Sequence, residues 1–340
     1  MNTVIIPFIK YNRTNKLLGR LLFEYVMDNI HRIDADQVLI CPTRMGLDEC
    51  EFVIDGKTVR ILKDCGSIIH QENIERGIAT LSPGDKFVVM DSDCVIYDRS
   101  VFTDIFSDLN NYDIVGNLDS GTRVHPTHVL FVNWQNADMT DSKNLMYRIP
   151  IMRPISNRGA KTRFAATLFG CSYDFYTKYN VTPDKNCDIA AVESMELFSR
   201  NVATFIPNVR VKEMYDYRHS VLANEQSMLR CHNNSDDNRV DDEMFNGVKY
   251  YHMRNFGETI KMIDKSPQYP YISQLQTNPS EGLRLLSWFQ IILEKVCAKH
   301  PEYSVFMNNI DEVLTEHNID VKFYQSRLAL TKQYHRTHLL

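Results

Sequence analysis

Strand-length apolar runs alternate with helix-length amphipathic segments over the first hundred residues, and that alternation restricts the chain to an α/β sheet. Val4-Ile5-Ile6-Pro7-Phe8 reads as a first buried strand. Residues 15–30 follow with apolar positions at Leu17, Leu18, Leu21, Leu22, Tyr25, Val26 and Ile30, the spacing of a helix with one buried face. Gln37-Val38-Leu39-Ile40 and Thr58 to Leu62 predict two more strands, and residues 71–80 a polar helix. Phe87 to Met90 is a further buried strand after the loop signal Ser82-Pro83-Gly84-Asp85. The order predicts a Rossmann-like, mostly parallel sheet flanked by helices on both faces.

The strand at Phe87 stops abruptly at Asp91-Ser92-Asp93. Carboxylates at the carboxyl end of a buried strand in such a sheet sit where ligands bind, and two of them spaced by one residue can hold a hard divalent cation against a diphosphate. The same two residues can also do no more than end a strand and open a turn, so the motif needs its surroundings to carry a function.

The second half of the chain is less regular. Asp113 to Gly116 and Val129 to Val132 read as strands, Ala165 to Cys171 as a buried segment, residues 189–201 as a helix and Ala203 to Ile206 as a strand. Between them Lys143, Arg148, Arg153, Arg158, Lys161 and Arg163 form a basic run with no acid from Ser142 to Tyr173, expected as an exposed loop. Past residue 265, Ser266-Pro267, Tyr269-Pro270 and Asn278-Pro279 punctuate a loop, and helices are expected over roughly 281–299, 304–317 and 321–330. The expected division is therefore residues 1–265, made of a nucleotide-binding half (1–115) and an acceptor half (116–265), followed by a helical extension over 266–340.

Composition narrows the function. The chain has 340 residues, enough for one large domain with an appendage. A net charge of −5 argues against a surface coated for nonspecific nucleic-acid binding. No apolar run approaches the roughly 20 residues that span a bilayer, and MNTVIIPF enters a strand without a basic leader, so a cytoplasmic protein with no integral membrane segment is expected. The eight cysteines lack the CxxC spacing of a zinc site and are expected as mostly buried thiols.

Four features, in this order, resemble the GT-A glycosyltransferases that use nucleotide-sugar donors. IIPFIKYNR resembles their opening strand and donor loop, Asn73-Ile74-Glu75-Arg76-Gly77-Ile78 the helix ahead of their metal strand, and FVVMDSDCVIYD that strand with its Asp-x-Asp motif. Leu168-Phe169-Gly170-Cys171, followed by a helix with Glu193, resembles their acceptor-side glycine and acidic helix. Tyr250-Tyr251-His252 with Gly257 and Lys261 is similar to a terminal histidine, glycine and lysine of several such enzymes, at wider spacing.

The resemblance implies a metal-dependent transfer of a sugar from a nucleotide-sugar donor, a UDP-sugar foremost, to a hydroxyl acceptor. It implies Asp93 as direct ligand of Mn²⁺ or Mg²⁺, Asp91 as a ribose or water-mediated metal contact, and His252 as completing the metal shell. Pro7, Phe8, Arg13, Asn73, Arg76, Ser92 and Lys261 are the implied donor contacts. A base must take the acceptor's proton if the reaction inverts configuration, and Glu193 is the first candidate, with Asp188 the competitor. Gly170, Arg153 and Arg163 are the acceptor-side candidates. Arginines there suit an anionic glycan, a lipid-linked diphosphate or DNA carrying a hydroxylated base. Two alternatives stay open. A nucleotidyltransferase would want a glycine-rich loop after the first strand, where Phe8-Ile9-Lys10-Tyr11-Asn12 has no glycine. A noncatalytic sugar-nucleotide or glycan-binding module would bind donor without turning it over.

Overall fold

A computed structural model describes residues 1–9, 15–66, 70–112, 114–116, 128–129, 168–179, 206–207, 211–213, 249–253, 256–264, 279–316 and 318–339. The described residues form twelve strands and eight α-helices. β1 (Asn2–Ile9) leads through α1 (Leu21–Asp28) to β2 (Gln37–Thr43), then to the hairpin of β3 (Cys50–Ile54) and β4 (Lys57–Ile61). α2 (His70–Ile78) returns the chain to β5 (Lys86–Met90), which continues into β6 (Cys94–Ile96) and α3 (Ser100–Asp108). The short strands β7 (Ile114–Gly116) and β8 (His128–Val129) come before β9 (Leu168–Ser172) and α4 (Tyr173–Tyr179). β10 (Ile206–Pro207), β11 (Val211–Glu213), β12 (Tyr250–His252) and α5 (Phe256–Ile263) follow, and α6 (Pro279–Cys297), α7 (Met307–Glu316) and α8 (Val321–Leu339) end the chain.

Eight of the strands make one sheet in the order β11-β7-β9-β5-β1-β2-β4-β3. β1 runs parallel to both β2 and β5, and β2 parallel to β4. β3 and β9 run the other way, so the sheet is mixed at both flanks of its parallel centre. The alternation of residues along the central strands divides the core. Val4, Ile6, Phe8, Val38, Ile40, Val88 and Met90 join α1, α3 and the C-terminal helices in one hydrophobic cluster. Ile5 and Cys41, one residue out of phase, face α2, and Phe87 meets Tyr176 of α4 edge-on at 5.9 Å.

The helical C-terminal region packs on the sheet's α1 side. Leu286, Trp288, Phe289, Ile292, Leu293 and Val296 of α6 are fully buried. Phe289 stacks on Phe256 of α5 with ring centroids 6.0 Å apart, and Lys299 pairs with Asp28 of α1 at 3.1 Å. Among the described residues no helix is long and apolar enough to cross a membrane.

The expected α/β architecture with C-terminal helices is the one observed, with local corrections. The helix expected over 15–30 is a 3-10 turn at Leu18–Arg20, the eight-residue α1, and a second 3-10 turn at Ile30–Arg32. β3 was not expected, although Asp55-Gly56 is a hairpin signature. Both residues have positive φ, 48° and 78°, the conformation that a two-residue turn between twisted strands requires. Helices α3, α4 and α5 also go beyond the expectation. The basic run from Lys143 to Arg163 and the helix expected over 189–201 lie outside the described residues.

Candidate functional site

Chain order and strand order disagree at one place in the sheet. From β1 the chain moves outward to β2 and β4, then crosses back through α2 to β5 on the opposite side of β1. In open α/β sheets the carboxyl ends of the two strands at such a reversal diverge and leave a crevice for ligands. Pairing between β1 and β5 stops at Ile5 and Val89, and Asp91 follows two residues beyond Val89, just past the end of β5. Pro7 has no N–H with which to extend a ladder. Asp91-Ser92-Asp93 therefore lies at the reversal, at the end of a buried strand.

The motif is a tight turn, closed by the Cys94 N–H donating to the Asp91 carbonyl at 3.1 Å. Asp91 is half-buried, Ser92 and Asp93 are buried, and Asp93 keeps 8% of its surface exposed. The chain then turns into β6, which pairs antiparallel with β12 so that Tyr250 opposes Ile96, Tyr251 opposes Val95 and His252 opposes Cys94. The Met253 N–H donates to the Asp93 carbonyl at 3.0 Å. The backbone of His252 is thereby brought beside the acidic turn from 159 positions along the chain. Burial, reinforced by the charges of Asp91 and Asp93, pushes the Cys94 thiol well above its usual range, so it stays protonated and packs as core.

Asn73 and Arg76, expected as donor contacts, form a polar lock between α2 and the ends of β2 and β4. Asn73 is fully buried; its amide donates to the Thr43 hydroxyl and its carbonyl accepts from the Cys65 thiol at 3.2 Å. Arg76 donates to Asn73 Oδ1 at 3.2 Å, to the Pro42 carbonyl at 3.4 Å and to the Lys63 carbonyl. Cys65 closes the circle, with its N–H on the Pro42 carbonyl at 3.4 Å and its backbone bridged to Thr43. Neither residue lies on an open helix surface. Their side chains hold the crossover helix against the end of β2.

Phe8 is core, meeting Phe23 of α1 edge-on at 5.6 Å. Gly170 lies mid-strand in β9, opposite Val88 and Val115. A Cβ there would fall 2.4 Å from Ile105 Cγ2 and 3.1 Å from Leu109 Cδ1, so its observed surroundings are α3 and the sheet interior. Lys261 belongs to α5. Arg13, Arg153, Arg163, Asp188 and Glu193 lie outside the described residues. Sequence reasoning did not find Lys249, which ties β12 to α3, or Thr43 and Cys65. Nothing local marks the first, while Thr43 was legible as a polar residue closing a buried strand.

No group of three His, Cys, Asp or Glu side chains able to hold a metal occurs among the described residues. Two carboxylates in one turn still suit Mg²⁺ or Mn²⁺, because Mg²⁺ usually takes only one or two protein carboxylates and completes its shell with phosphate oxygens and water.

No family model matches the sequence, and no curated protein matches it either. Solved structures do overlap it. 4-Diphosphocytidyl-2C-methyl-D-erythritol synthase from Anaerococcus prevotii is 14% identical, covering 63% of this chain and 88% of its own at a TM-score of 0.31. A protein from Desulfovibrio desulfuricans described as a nucleotide-diphospho-sugar transferase is 12% identical, with 63% and 79% covered and a TM-score of 0.29. CMP:2-keto-3-deoxy-manno-octonic acid synthetase, solved with CTP, is 13% identical, with 63% and 89% covered and a TM-score of 0.31. Overlaps of this size leave the chemistry of this chain to its own residues.

Proposed function

We propose that this protein is a divalent-metal-dependent glycosyltransferase that moves a sugar from a nucleotide-sugar donor, a UDP-sugar first, to a hydroxyl acceptor. The observation that carries the reading is the Asp91-Ser92-Asp93 turn at the sheet's reversal point, clamped to the strand that bears His252. The crevice between β1 and β5 is where a nucleotide fits an α/β sheet, and an acidic turn at its mouth favours a cation-bound diphosphate over a free anion.

In this reading Asp93 binds the metal directly, Asp91 takes the ribose or a metal-bound water, and His252 completes the shell. Mn²⁺ or Mg²⁺, when bound, supplies Lewis-acid stabilisation of the charge that develops on the departing diphosphate. The turn's placement matters because a misplaced carboxylate loses that stabilisation steeply. Ser92, buried between the two acids, is a proposed donor contact. The lock of Asn73 and Arg76 holds α2 against the end of β2, so that donor binding does not have to order it. Arg13 and Lys261 are proposed phosphate contacts. Glu193, or Asp188 in its place, is the proposed base for the acceptor hydroxyl, and Gly170, Arg153 and Arg163 belong to the proposed acceptor side. An anionic glycan, a lipid-linked acceptor and a hydroxylated DNA base all meet the demand for a hydroxyl near basic groups.

The test is a panel of UDP-, GDP-, CMP- and dTDP-sugars with Mn²⁺ or Mg²⁺, read as thermal stabilisation and nucleoside diphosphate (for CMP-sugars, monophosphate) release by wild type and Asp93→Asn. Metal-dependent stabilisation and release by one donor, both lost in the variant, is the expected result. Pyrophosphate release from a nucleoside triphosphate and a sugar phosphate would replace the reading with nucleotidyl transfer. Donor binding without turnover, with every acceptor class present, would leave a binding module.

A further inference from the structure

The two-stranded sheet that joins His252 to the acidic turn has three residues in each strand. An isolated pair of strands is marginal even at greater length, and a slip of one residue would turn each side chain to the opposite face. Something outside the ladder must set its register. Met253 extends the ladder by one bond, its N–H on the Asp93 carbonyl, but a backbone bond would form equally well in a slipped register.

At the other end stands Lys249. Its carbonyl accepts the N–H groups of both Tyr97, at 2.9 Å, and Asp98, at 3.0 Å, closing the ladder where β6 ends. Its ammonium donates to Ser100 Oγ at 2.9 Å and to Asp104 Oδ2, one turn further along α3. α3 is itself a firm base, since Val101, Phe102, Ile105 and Phe106 are buried against the sheet. Backbone and side chain of one residue thus fasten β12 to two elements at once, three positions before His252.

We propose that Lys249 is a positioning residue for the metal-binding turn: its clip on Ser100 and Asp104 of α3 sets the register of β12 against β6, and through it the place of His252 and Asp93. This deepens the function proposed above and rests on it. Neither the ammonium nor its partners need touch donor or metal. The residue acts through the backbone, as outer-shell groups around metal sites do.

The experiment compares wild type with Lys249→Met, which removes the ammonium and keeps the stem, Lys249→Arg, which restores a cation, and Lys299→Met, which breaks the separate pair with Asp28 of α1. Free Mn²⁺ is counted by electron paramagnetic resonance, with Mn²⁺ alone and with UDP present, and thermal midpoints are recorded without metal. Lys249→Met should weaken Mn²⁺ binding by roughly tenfold, the size seen when outer-shell partners are removed. Lys249→Arg should recover most of it. Lys299→Met should leave Mn²⁺ affinity at the wild-type value. If Lys249→Met does not fold, Ser100→Ala with Asp104→Ala removes the clip from the other side and is held to the same result. Wild-type affinity in the variant overturns the proposal while the metal site stands. Wild type that binds no Mn²⁺ with or without UDP overturns the metal site and the clip together.

Discussion

Gly77 of α2 rests directly on Ile5 of β1: a Cβ at Gly77 would lie 2.7 Å from Ile5 Cγ2 and 3.1 Å from Cys41 Sγ. Ile5 is fully buried and branched at Cβ, so its Cγ2 has no room to swing away. The helix that carries Asn73 and Arg76 can sit this low on the sheet because one of its residues has no side chain. Gly77→Ala should therefore lower stability by about 1–2 kcal/mol, although alanine is the better helix former by about 1 kcal/mol. Urea titration at constant slope measures it. A gain in stability would mean that Ile5 yields.

Phe289 and Phe256 join the C-terminal helices to the segment that follows β12. Both rings are fully buried, so Phe289→Ala should cost about 3–5 kcal/mol. Because α1, α3, α5 and α6 share one hydrophobic cluster, that loss should shift a single unfolding transition. Circular dichroism and tryptophan fluorescence should report the same midpoint. Trp288 sits next to Phe289 in α6, and with the chain's other tryptophan removed by Trp134→Phe an early fluorescence change with the sheet intact would show that the helices melt alone.

Glu24 of α1 faces Arg20 at 3.5 Å and His300 at 4.0 Å, with Asp28 and Glu302 close by. Burial raises its pKa above the usual 4.5, against the lowering effects of Arg20 and His300, and Asp28 and Glu302 add to the rise. A carboxyl whose pKa is raised on folding favours the folded state while protonated, and that contribution is lost as pH rises from 4.5 through the folded value. Glu24→Gln should thus be more stable than wild type at neutral pH, with the difference closing in acid. Urea midpoints at acid and neutral pH check the sign. A variant less stable at neutrality would show that the pairs with Arg20 and His300 outweigh burial.

Much of the sheet was legible because its signals are local. Ile5, Val38 and Val88 lie in runs short and apolar enough to be nothing but buried strands, and the acids after Met90 mark a strand end without knowledge of its neighbours. The misses have local causes too. Asp55-Gly56 is a turn signature that reveals β3, but β3 alternates weakly, with Cys50 and Glu51 exposed at the sheet's edge. α1 was expected long because the apolar spacing continues through two 3-10 turns that repeat it closely enough to be mistaken for one helix.

The amino-acid sequence by itself determined the α/β class, the C-terminal helices and the position of Asp91 and Asp93 at the end of a buried strand, since each follows from the periodicity of neighbouring residues. Only the tertiary structure decided what meets them. β5 comes beside β1 through strand order, His252 comes beside Cys94 through a three-residue ladder, and Lys249 reaches Asp104 across 145 positions. Asn73 and Arg76 were recognisable as a pair one helical turn apart, yet their burial against Thr43 and Pro42 depends on how closely Gly77 lets α2 approach the sheet. Pairings of this kind leave no periodic trace, because a strand of three residues is too short to show one and its partner is chosen by packing elsewhere in the core.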